Sequence, residues 1–491
     1  MERNRKKVKS ATLLLAGLAM CLATHTGTAA EGDAVGLAIE KRMLQAGDLK
    51  IEDFRASSEE GIVTLAGKAD NLDASRRVAT LAEEVRGVKS VVNQVVVTAP
   101  EVSDDALVDT IVQRMSNNPS FDASQLGVQA DNGKVQLKGI VNSLAEKMII
   151  ETEVASTRGV SAVENNLEIR PAVVREDAEI QKIVQSLFEN SALLDTSEIE
   201  VTVEDGVVKL AGEIPSTALK REAAELASIS GVKQIDDDAL KVVWEKSDGM
   251  QRKARYDALS DKQIESAIKL AAQNHPYLAG VADSLKVEVS QRSVTLKGEF
   301  PSPLMREAAD KIATNTLGVY GVTNEIDVTW PDETPTDEAI TEAVLASIRE
   351  DAYLSRAEIV PRTKSAHVHL YGAVDSPFEK QRAARLAGMQ PGVVHVANYL
   401  SVIDNFDNSQ TDAEIQQAIE RELSLMASNP HVDLHVRVMN GVPVFSGHVA
   451  TWFQWQGLLQ VAERAGARRP HLDVDIHYRP TSSEVGLFVP Q

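Results

Sequence analysis

Val207-Val208-Lys209-Leu210-Ala211-Gly212-Glu213-Ile214-Pro215 is a short strand that ends in glycine and gives way to a helix. Val63-Thr64-Leu65-Ala66-Gly67, Val135-Gln136-Leu137-Lys138-Gly139, Val294-Thr295-Leu296-Lys297-Gly298 and Val368-His369-Leu370-Tyr371-Gly372 repeat it. Pro443-Val444-Phe445-Ser446-Gly447 is a blurred copy, and the glycines lie 72, 73, 86, 74 and 75 residues apart. Length alone would suggest about three or four domains. The repeat replaces that estimate with six small related units.

Outward from the strand, each unit shows one order of elements. In unit one, Leu37, Ala38 and Lys41 to Met43 suit an amphipathic helix, and Phe54 and Ala56 begin a strand. Glu59-Glu60-Gly61 turns that strand back into Ile62 to Leu65, as Asp131-Asn132-Gly133 does in unit two and Asn440-Gly441 in unit six. Asp70 to Arg86 is a second helix, with Leu72, Ser75, Val78, Ala79 and Ala82 on its tighter face, and Gly87-Val88 stops it and starts a last strand. Alternation puts Val63, Leu65 and Gly67 on one face of the sheet, which the two helices must cover. The predicted fold class is therefore α+β: a tandem array of six two-layer modules, each helix-strand-strand-helix-strand. The modules span 33–98, 104–170, 177–244, 260–330, 337–403 and 411–480, with a linker at 245–259 and a tail at 481–491.

A second glycine follows the first after 20, 20, 19, 20 and 20 residues, at Gly87, Gly159, Gly231, Gly318 and Gly392. Spacing held across a helix marks shared geometry. The strand-end glycines (Gly67, Gly139, Gly212, Gly298, Gly372, Gly447) either avoid a crossing helix or take a backbone shape closed to other residues. The sequence leaves both readings open.

Residues 1–30 read as an export signal: Arg3, Arg5, Lys6, Lys7 and Lys9, then the apolar run Ala11 to Ala23, then Thr28-Ala29-Ala30 before Glu31. The expected compartment is the periplasm. Leu18-Ala19-Met20-Cys21 is a poor lipoprotein box, and lipidation at Cys21 with membrane anchoring is the minor alternative. Beyond that signal the chain has no cysteine, which excludes disulfides, thiolate metal sites and cysteine nucleophiles. No later stretch is long and apolar enough to span a bilayer. A formal charge of -21 and 4% aromatic residues argue against nucleic acid as a partner.

The units resemble the BON domain, a module of bacterial osmotically inducible periplasmic proteins and other envelope proteins. The resemblance rests on the paired glycines, on the valine after each second glycine, and on Val92 with Val95, Asn165, Asn324 and Asn398 in the last strands. Unit six departs from it, because Ala465 to Pro470 lacks a clear Gly-Val pair. The resemblance implies attachment to phospholipid or other envelope components, support of envelope integrity, no catalytic residues and no cofactor.

Candidate chemistry is sparse. Asp177, Asp261, Asp337 and Asp412 stand at helix starts and read as capping and dipole partners. Eight of the nine histidines after the signal fall between His367 and His477. His367 and His369 share a strand face, and a two-residue turn at Asn440-Gly441 would set Asp433 across from His448, with His435 nearer the turn. That is either a zinc-sized cluster or a polar open sheet face. Trp452 and Trp455 are the candidate contact residues: they share a helix face where other units carry small or polar residues. They either pack the last module against unit five or the tail, or meet a partner or headgroup region. The leading function is a noncatalytic periplasmic repeat protein that binds or organises envelope components, phospholipid among the candidates. The alternative is a protein–protein scaffold or accessory subunit of an envelope complex, without lipid binding.

Overall fold

The computed structural model describes residues 33–46, 49–118, 123–171, 174–194, 199–243, 259–330, 335–403, 411–426, 433–465, 467 and 470–476. The export signal, Cys21, Trp244, residues 245–258 of the linker, His431, His477 and the tail 481–491 lie outside them.

Among the described residues there are six α-β-β-α-β units. Unit one has helix Ala34–Ala46, strands Ile51–Glu59 and Ile62–Ala69, helix Leu72–Glu83 and strand Ser90–Val97. In the other units the first helices are Asp104–Asn117, Asp177–Glu189, Asp261–Asn274, Asp337–Arg349 and Asp412–Met426. The second helices are Leu144–Ala155, Thr217–Ala227, Pro303–Thr314, Pro377–Gly388 and Trp452–Arg464. Each sheet stands alone, with the glycine-ending strand in the middle, antiparallel to the first strand and parallel to the last. In unit one, Val63 and Leu65 of that strand are fully buried with Ile39, Val78, Ala82 and Val88. The alternation of apolar residues thus closes one core per unit.

The strand-end glycine answers to backbone shape rather than to a helix. Gly372 has φ +124°, and a Cβ there would fall on the carbonyl oxygen of Glu358 in the adjacent strand. An L side chain would have both a strained backbone and no space. Gly67, Gly139, Gly212, Gly298 and Gly447 share the positive φ. The second glycine sits in the turn between the capped helix and the last strand: Gly392 has φ +85° and lies against Pro335 and Ile340 of its own unit's first helix region.

The units do not contact their sequence neighbours alone. Twice, the end of a second helix is bridged to the end of a first helix in another unit. Ala352 donates to the Ser156 carbonyl at 3.1 Å and Arg158 to that of Glu350 at 3.0 Å, joining units two and five. Ala192 donates to the Asn315 carbonyl at 2.8 Å and Leu317 to that of Asn190 at 2.7 Å, joining units three and four. Such bridges engage backbone groups where the helices run out of internal partners. Arg42 ties unit one to unit six through Glu422 at 3.0 Å. Three with four, two with five and one with six is the pairing of a chain whose second half runs back along its first. Further contacts cross it: the Thr217 hydroxyl donates to the Val88 carbonyl at 2.9 Å, and the Trp330 indole to that of Val393 at 2.7 Å.

Candidate functional site

Two polar clamps recur along the chain, and the helix-start aspartates of units two to six supply the first. Asp177 accepts the backbone N–H groups of Asp205 and Gly206, at 2.8 and 2.9 Å. Asp104, Asp261, Asp337 and Asp412 hold the hairpin turns of their own units in the same way. Each aspartate stands in the first turn of its helix, as a dipole partner would, but the capping part of the expectation is corrected: the carboxylate reaches a turn 28 to 31 residues onward and stabilises its exposed amides. Those two amides hold Asp337 below the usual carboxylate range. The second clamp is an asparagine in the last strand. The Asn398 side-chain amide donates to the Lys380 carbonyl at 2.7 Å, and its oxygen accepts from Leu400 N at 3.2 Å, locking strand to second helix. Asn93, Asn165 and Asn324 do the same. In both cases the signal was present in the sequence as a repeated polar residue at constant spacing from its partner.

Units three and six lack the asparagine: in unit three Lys220 of the second helix reaches Asp237 of the last strand at 3.6 Å, and in unit six the tryptophans make the link. The Trp455 indole donates to the Val474 carbonyl at 3.2 Å, tying helix to last strand from the helix side. Trp452 stacks on Trp455 at 4.8 Å and packs against the core of unit four, its backbone N–H meeting the Val319 carbonyl at 3.2 Å. Among the described residues its neighbour is thus unit four rather than unit five, and the tail lies outside them.

The densest charged cluster lies where units one, two and five meet. Asp351, fully buried, takes the Arg382 guanidinium at 2.6 to 2.9 Å, with Arg114 of unit two at 3.9 Å. Glu153 of unit two receives Arg114 at 3.0 Å and Arg385 at 3.3 Å. Burial alone would raise Glu153, but Arg114, Arg385 and Arg382 together hold it below the usual range. The Tyr353 hydroxyl donates to Asp73 of unit one at 2.9 Å, and Arg77 lies 3.3 Å over the Phe378 ring. Beside the cluster a cleft of about 200 Å³ is lined by Lys50 and Asp70 of unit one, Arg158 of unit two, and Arg356 and Asp375 of unit five. Lys50 and Asp375 pair across it at 2.8 Å. Charges of both signs close on one another here, with no nucleophile and base brought together.

The outer sheet faces are what the helices leave free. On unit one, Ile62, Val92 and Val96 are exposed on that face. On unit five it carries His367, His369, Tyr371, His395, Tyr399 and Arg362. On unit six, Asp433 pairs across from His448, and His435 lies 3.7 Å from Asp433. Among the described residues no group of three or more His, Cys, Asp or Glu could hold a metal ion, and no helix is long and apolar enough to cross a membrane.

A family model described as the BON domain matches residues 34–99, 103–171, 176–243, 260–329 and 336–404, leaving unit six unmatched. Osmotically-inducible protein Y of Escherichia coli (strain K12) is 29% identical over 147 residues, covering 29% of this chain and 72% of that protein. Two solved structures of CdsD, a structural protein of the type III secretion system of Chlamydia trachomatis, align at 16% and 15% identity. They cover 42% and 48% of this chain and 96% of each solved chain, at a TM-score of 0.12, which carries no argument about its arrangement.

Proposed function

Because this chain belongs to the BON-domain family, we propose that it is a noncatalytic periplasmic scaffold that binds and organises cell-envelope components and supports envelope integrity. The basic start, apolar run and Thr28-Ala29-Ala30 support the compartment. One observation carries the binding role. The helices of different units pack on one another, and among the described residues no sheet pairs with another, which leaves outer faces and strand edges for partners. Phospholipid is the finer proposal, and Ile62, Val92 and Val96 on the outer face of unit one are its best support. With a net charge of -21, contact with an anionic leaflet must be local and apolar, hence insensitive to salt. The free strand edges support the second reading, a protein scaffold that accepts partner strands.

Flotation of the mature protein with phosphatidylethanolamine–phosphatidylglycerol vesicles, at low and high salt, tests the lipid reading. Salt-independent flotation that Val92→Lys with Val96→Lys abolishes is the expected result. Capture of a saturable envelope protein without flotation favours the scaffold reading. Neither flotation nor capture overturns both.

A further inference from the structure

The outer face of unit five brings two imidazoles together across neighbouring strands. His367, in the middle strand His367–Val374, pairs in register with His395 in the last strand His395–Asn398, and their ring centroids lie 5.6 Å apart. Both side chains are exposed. Two imidazoles bound to one zinc at about 2.0–2.1 Å in tetrahedral geometry have centroids about 5 Å apart, so a small rotation closes the pair on an ion.

The hydrogen bond of His367 fits that use. His367 Nδ1 lies 2.8 Å from the Ser365 carbonyl oxygen. A carbonyl only accepts, so Nδ1 carries the proton and Nε2 presents its lone pair outward. A second-shell carbonyl on the remote nitrogen is the arrangement that orients ligating histidines.

We propose that His367 and His395 form a two-histidine site for a borderline divalent transition ion, Zn²⁺ or Cu²⁺, on the open face of unit five. The protein supplies two nitrogens, and water or an external carboxylate completes the shell. Lys364 stands across from His367 in the first strand, Arg362 beside it, and Arg306 acts on His395 from unit four. Those cations weaken affinity for a bare dication and favour an anionic outer ligand. Asp337, at the foot of the same unit's first helix, opposes them from the His367 side. His369 shares the face, but it stacks on Tyr399 at 6.0 Å and 2° and stands in register with Ala397 rather than with His395.

Titrating ZnCl₂ and CuCl₂ into the full mature chain by calorimetry, in a non-coordinating buffer, tests the site. The expected result is binding at pH 7.5, tighter for copper than for zinc. His367→Gln and His395→Gln should each weaken zinc at least tenfold, while His369→Gln and His435→Gln bind as the parent does. Unchanged urea midpoints certify that the variants fold. A double variant, His367→Gln with His395→Gln, that keeps parental zinc affinity overturns the proposal. So does absence of zinc binding to the parent, or a loss as large in His369→Gln or His435→Gln.

Discussion

Unit five meets its neighbours through buried charge: Asp351 and Glu153 share the guanidinium groups of Arg114, Arg382 and Arg385. Unit six meets unit four through Trp452, stacked on Trp455 and laid against an apolar core. One module plan therefore tolerates two kinds of attachment. A buried ion cluster loses much of its attraction to desolvation, but removing one member strands the others, so it resists partial loss badly. An apolar contact degrades gradually and is indifferent to pH and salt. The difference predicts how each unit detaches.

The largest effect is expected at Asp351. Asp351→Ala should lower stability by about 3–5 kcal/mol, because Arg382 is left buried without its carboxylate. Limited proteolysis should then cut unit five before unit six. If the two units are released together, their attachments do not differ as described.

Gly372→Val and Gly447→Val probe what the two units share. Both residues sit at positive φ with a neighbouring carbonyl where a side chain would go. Each substitution should cost about 3 kcal/mol, read as urea midpoints against exposed Lys209→Val, which should move little. A large cost in one unit and none in the other would break the common plan.

Trp452→Ala should cost about 2 kcal/mol, less than a full core deletion because the ring is only partly buried. The loss should be equal at low and high salt. Salt dependence would mean that charge, through pairs such as Arg42 with Glu422, holds unit six instead.

Acid should sharpen the contrast further. Glu153 has its folded pKa lowered below the ordinary 4.5, so its stabilising contribution is complete above that value and is lost as pH falls through the folded pKa. The units two–five contact should weaken below about pH 4.5, and the units four–six contact should not respond through this residue. Comparing the parent with Glu153→Gln isolates the effect. Identical acid profiles would rule Glu153 out.

The smallest pair compares the clamps. Asn398→Ala and Trp455→Phe each remove a helix-to-strand hydrogen bond, worth about 1 kcal/mol. If Trp455→Phe is silent, the indole does not replace the asparagine.

The sequence by itself determined the six units, their element order and the face each strand buries, because those follow from local rules. Val63 and Leu65 alternate with Thr64 and Ala66, and Gly87 takes the positive φ of the turn between second helix and last strand. The clamps were legible in principle, since Asp177 and Asn398 stand at fixed distances from partners inside their own units. Even so, spacing alone does not say whether a helix-start aspartate caps its helix or reaches a turn. What emerges only in the folded chain is that Ser156 meets Ala352 and Arg158 meets Glu350 through backbone hydrogen bonds, that Asp351 collects Arg382 and Arg114, and that His395 lies beside His367. Units two and five are separated by nearly half the chain. Their contact is fixed by complementary helix ends and charges that leave no period in the sequence to read.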